Sequence, residues 1–126
     1  MSAIVGFVFL DGRKAQAESL ETMMRPLAHR GTDGTDAWLE GPAALGHLML
    51  HTTPESLGEI LPLHSHEGNL SLTADARIDN REELLIALHL PGDTPDSTLI
   101  LAAYRLWGEA CPQHLIGDFA FALWDA

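Results

Sequence analysis

An α+β fold, with antiparallel strands stacked between helix layers, is predicted by three features of this 126-residue sequence. Some segments are apolar throughout and others alternate strictly, which marks strands covered on one or both faces. Helical patterns come as one helix and then a pair, instead of alternating with strands as a parallel sheet would require. The apolar share is 46% with no low-complexity tract, so the chain is globular.

Ala3 to Leu10 is apolar at nearly every position and predicts a strand covered on both faces. Asp11-Gly12 turns the chain. Leu20, Met23, Met24 and Leu27 then fall at helical spacing between Glu18 and Leu27, with Pro26 set to kink or end that helix. His29 to Asp36, "HRGTDGTD", reads as a polar loop. Ala37–Glu40 and Ala43–His51 read as strands joined at Gly41-Pro42. "TTPESLGEILPL" is a loop with a brief helical turn, and Asn69–Arg77 alternates as a strand.

Asn80 with Glu83 has the spacing of a capping box, opening a helix that carries Leu84, Leu85 and Leu88 and stops by Pro91-Gly92. Asp96 or Ser97 is placed to cap the next helix. Its buried face would hold Leu99, Ala102, Ala103 and Leu106, and Gly108 would end it. "GDFAFALWDA" is a final alternating strand. An aromatic strand at the last residues leaves a hydrophobic edge to cover. The chain is therefore expected to be a fragment, or a piece completed by another chain.

Composition narrows the function classes. Eighteen acids against seven Lys and Arg give a formal net charge of −11, which repels phosphate backbones and argues against nucleic acid. No apolar run is long enough to span a bilayer, and the start is too weakly basic for a signal peptide. The single cysteine, Cys111, excludes an internal disulfide, suits a cytoplasmic setting and reads as a buried apolar residue. The seven histidines, including His47, His51, His64 and His66, lack zinc-ligand spacing and are expected on loops and strand surfaces, with no metal. Trp38, Trp107 and Trp124 read as packing residues. "HRGTDGTD" lacks the lysine and following helix of a phosphate loop.

Five segments carry a resemblance: "MSAIVGF", "LAHRGTDG", "LGHLMLHTTPES", "LTADARIDNREEL" and "DSTLILAAYRLWGEACPQHLIGDFAFALWD". In this order they resemble the N-terminal domain of glutamine-hydrolysing asparagine synthetases, a class II glutamine amidotransferase. "HTTPES" and "ADARIDNREEL" are similar to a subset that includes ligases closing lasso-peptide rings. The resemblance implies an N-terminal-nucleophile αββα sandwich, of which residues 1–126 would be roughly the first two-thirds. It implies a cysteine nucleophile at position 2, using its own α-amine as base. A C-terminal synthetase domain beyond this chain would use ATP and Mg to adenylate a carboxylate.

The matching positions depart from that pattern. The nucleophile position is Ser2. The arginine expected to clamp the glutamine carboxylate falls at Met49, whose thioether cannot pair with a carboxylate. The Asn-Gly pair of the oxyanion hole falls at Asp75-Ala76, where an anionic Asp75 would oppose the developing charge. Asp96, implied to hold the glutamine α-amine, is retained, as are Arg30, Gly31 and Asp33 of the "HRGTD" loop.

The expectation is a catalytically silent amidotransferase-like domain of an asparagine synthetase-like amide ligase, with Ser2 a vestige. Its partner would be the parent's synthetase domain or a complementing chain, with a homo-oligomer the other possibility and no membrane partner. One alternative is an active amidotransferase or amidohydrolase using Ser2 after removal of Met1. Another is a free-standing binding module that pairs through its last strand.

Overall fold

The computed structural model describes residues 1–126 in full. Two three-stranded antiparallel sheets form its centre. In the first, β3 (Ala43–Met49) lies between β1 (Ala3–Val8) and β2 (Gly34–Glu40). In the second, β5 (Leu70–Ile78) lies between β4 (Leu63–His64) and β6 (Gly117–Asp125). Helix α1 (Ala17–Met24) covers the outer face of the first sheet. Helix α3 (Asp96–Trp107) covers the outer face of the second, and α2 (Arg81–Leu88) packs against α3. The result is the expected αββα sandwich.

Alternation along the strands sets which residues meet between the sheets. On β3, Gly46 faces α1, where an added Cβ would stand 2.8 Å from Met24 Sδ. His47 therefore points the other way, and its Nδ1 lies 3.1 Å from Thr73 Oγ1 on β5. The polar face of β5 is thus interior: Ser71 and Thr73 are buried between the sheets. The apolar face, Leu70, Leu72 and Ala74, joins Ile78, Leu84, Leu99 and Ile100 in the main core against α2 and α3. Each such Leu or Ile contributes about 1.5–3 kcal/mol by leaving water.

Several expectations change. β1 is an edge strand and only partly buried; the strand covered on both faces is β3, all seven of whose residues are buried. An apolar run says that a strand is covered, not that it is central. Asn80 forms no capping bond. Its amide instead donates to the His114 carbonyl at 2.9 Å and accepts from Ile116 N at 3.0 Å, tying α2 to the approach of β6. The residue before α3 is Pro95, and Asp96 is its first residue, with its carboxylate bonded elsewhere. On α3, Ile100 and Leu101 are buried while Leu106 is exposed, because α2 and the 3₁₀ turn at Gly108–His114 widen the covered face. His47 is not a surface histidine but 1% exposed. No helix is long and apolar enough to cross a membrane.

Candidate functional site

Antiparallel pairing of β1 with β3 matches Ala3 to Leu48, so Ser2 arrives beside the end of β3. Ser2 Oγ accepts a hydrogen bond from Leu50 N at 2.9 Å. Its single hydrogen has two acceptors within reach, Leu50 O at 3.4 Å and Met49 Sδ at 3.7 Å. The side chain is held against the strand end, and the residue is 6% exposed.

Ser2, Asp75, Ala76 and Asp96 do converge, on one cavity of about 20 Å³ that Glu59 also lines. Such a volume admits about one water molecule and not a glutamine side chain. Asp75 and Ala76 reach it from the middle of β5, and Asp96 from the first turn of α3. Met49 contacts Ser2 from the last position of β3, where the carboxylate clamp was expected.

Asp96 is committed to structure. Its Oδ2 accepts from Ile78 N at 3.1 Å, and its Oδ1 accepts from Arg81 Nη1. Arg81 also donates through Nη2 to Thr94 O at 2.6 Å. Burial raises the Asp96 pKa, against the lowering effect of these partners. Glu59 accepts from Ser97 N at 3.0 Å and is likewise pushed up by burial. The cavity therefore gathers three carboxyl groups, with Arg81 the cation paired to one of them. A ligand carboxylate entering there would meet repulsion.

The retained loop residues do other work. Arg30 is exposed at the end of the 3₁₀ turn Arg25–Arg30. Gly31 is packed so tightly that a Cβ would lie 2.9 Å from Leu48 Cβ. Asp33 anchors the loop to the end of β3, its Oδ2 accepting from His51 N at 2.8 Å. None of the three lines the Ser2 cavity. Arg81 and Glu59 were not anticipated. Glu59 had a legible signal, a lone acid inside "LGEILPL"; Arg81 had none, because its partner is fifteen residues away.

Glu59 yields a direct expectation. Because its folded pKa is raised, the folded state holds the proton more tightly, and stability rises as pH falls through the window just above the ordinary carboxylate value. Glu59→Gln keeps the acceptor for Ser97 N and removes the charge. It should unfold at a higher temperature than the wild type at pH 7, with the gap closing towards pH 4 in calorimetry.

No group of three or more His, Cys, Asp or Glu is disposed to hold a metal ion. The glutamine amidotransferase domain model matches residues 1–126, the whole chain. An asparagine synthetase (glutamine-hydrolyzing) 3 of Bacillus subtilis is 31% identical over 133 residues, covering 99% of this chain and 21% of the relative. Amidase chry2 of Gibberella zeae is 30% identical over 118 residues, 89% of this chain and 17% of that protein. Amidase chyE of Penicillium rubens is 28% identical over 113 residues, with coverages of 86% and 17%. The chain spans about a fifth of the length of these relatives. Its whole-length match, carried on the αββα sandwich, places it plainly: the chain belongs to the glutamine amidotransferase domain family, with relatives among asparagine synthetases and amidases.

Proposed function

We propose that this is a catalytically silent amidotransferase-like domain whose role is structural, within an asparagine synthetase-like amide ligase. One observation carries the reading. The Ser2 hydroxyl is tied to the Leu50 backbone in a cavity of about 20 Å³ walled by the carboxyl groups of Glu59, Asp75 and Asp96. Loss of a single oxyanion-hole donor costs about 100- to 1,000-fold in rate. Here the positions implied for hole, clamp and nucleophile are all altered. In this reading the amine comes from the ligase's own substrate, as in the lasso-peptide ring-closing subset. ATP and Mg serve a C-terminal synthetase domain outside residues 1–126, and the protein works in the cytoplasm.

The test is ammonia release from glutamine, with the N-terminus defined by mass spectrometry. Release should match the protein-free blank in the wild type and in Ser2→Ala, whether or not Met1 is present. Release that depends on Met1 removal and disappears in Ser2→Ala would establish the active alternative instead.

An apolar groove of about 400 Å³ favours the packing role. It runs between the edges of the two sheets, lined by Ile4, Phe7 and Val8 on one side and Ala122 and Trp124 on the other. We assign it to the synthetase domain or a complementing chain. A homo-oligomer that buries it would appear as a concentration-dependent mass in light scattering.

A further inference from the structure

A second cavity, of about 190 Å³, lies on the inner face of the first sheet. Met49 separates it from Ser2, touching the Ser2 hydroxyl while lining this cavity too. Its polar wall is formed by Asp33, Thr35, Asp36, His47, His51 and Glu59, and no Lys or Arg lines it. Met49, Ile60 and Leu61 supply an apolar wall.

The decisive group is His47, 1% exposed. Thr73 Oγ1 lies 3.1 Å from His47 Nδ1 and 3.3 Å from Gly46 O, so a hydroxyl that donates to Gly46 O accepts from Nδ1. In that tautomer Nδ1 carries the proton and Nε2, buried and unpartnered, keeps a lone pair. Burial holds the ring neutral, with its pKa lowered to about 4. His51 Nδ1 is a second buried nitrogen without a partner. The carboxylates keep acceptor capacity. Asp33 and Glu59 each commit one oxygen to a backbone N–H, and Asp36 commits one to Ala37 N.

A wall rich in acceptors and negative charge beside a short apolar surface calls for a cationic donor on an aliphatic stem. We propose that this cavity binds the primary ammonium group of a small aliphatic amine, with His47 Nε2 and the Asp36 and Glu59 carboxylates as acceptors. An ammonium brings three donors and one positive charge. Ligands whose contacting group is a carboxylate or phosphate are excluded by the same carboxylates. The cavity is distinct from the one at Ser2 and holds whether or not Ser2 is silent.

The experiment is a titration followed by histidine ¹⁵N resonances, using n-butylammonium chloride in one arm and Nα-acetyl-lysine N-methylamide in another. The arms tell a free amine from a peptide lysine. Sodium chloride at matched ionic strength and n-butanol are controls. The expected result is a saturable shift of His47 Nε2 away from its bare-nitrogen position in at least one amine arm. Asp36→Asn, at an exposed edge-strand position, should weaken binding at least threefold. The proposal is overturned if neither amine gives a saturable shift. It is equally overturned if n-butanol gives the same shift, or if Asp36→Asn leaves the affinity unchanged.

Discussion

Arg81→Met is expected to cost about 3–5 kcal/mol of folding stability, the range for removing one partner of a buried ion pair. Both side chains are largely shielded, at 19% and 9% relative exposure. The guanidinium ties the start of α2 to the Asp96 carboxylate and to the Thr94 carbonyl before α3. Asp96 passes the constraint on to the end of β5 through Ile78 N. With methionine at 81, the carboxylate keeps its burial and loses its cation. Its pKa, already raised by burial, should rise further. A raised carboxyl pKa favours the folded state as pH falls, so the deficit should narrow in acid. Urea unfolding at pH 7 and pH 5 measures both effects. Asp96→Asn in the Arg81→Met background should recover at least about 1 kcal/mol, since it removes the stranded charge. A single-variant loss below about 1 kcal/mol would mean the pair is effectively solvated.

That pair also shows where the sequence stops being informative. Asp96 stands where a helix cap is expected, and its type and place suit a cap or a ligand-binding carboxylate equally. Only the fold reveals that β5 ends beneath it and that Arg81 reaches across from α2. The strands were more legible. Alternation in Asn69–Arg77 correctly separates Leu72 from Thr73, because strand periodicity is a local property. Where the polar face points is not local, and the second sheet decides it. β4 was missed because two residues cannot display a period. α1 and its proline-marked ending were legible, since Pro26 cannot continue the backbone ladder and opens a 3₁₀ turn instead.

The candidate site divides along the same line. The convergence of Ser2, Asp75, Ala76 and Asp96 follows from the family pattern, and the cavity joins those four. The "HRGTD" residues share the pattern but not the cavity. Gly31 is explained by its approach to Leu48, and Asp33 by its bond to His51 N. A motif therefore mixes residues that face the ligand site with residues that shape the loop beside it. Glu59 supplies the missing piece. It closes the cavity from the position just after the 3₁₀ turn Glu55–Gly58 and lines the His47 cavity as well.

His47 is expected to contribute to the acid sensitivity of this fold. Its pKa is about 4 in the folded state against 6.5 for an unburied imidazole, with burial as the cause. The unfolded chain therefore takes up a proton first as pH falls. Stability from this group is complete above pH 6.5 and is lost progressively down to about pH 4. At about 1.4 kcal/mol per pH unit, the expected loss across that window is about 3 kcal/mol. The location amplifies the consequence. A charged ring would sit between the sheets, where Thr73 can satisfy only Nδ1. His47→Asn keeps a donor for Thr73 Oγ1 and cannot charge. Its unfolding free energy, measured in urea from pH 7 to pH 4, should lack the part of the slope that His47 contributes. Parallel curves for variant and wild type would move the acid sensitivity to other groups. A wild-type curve that steepens through this window while the variant stays flatter would place it on the one imidazole joining the two sheets.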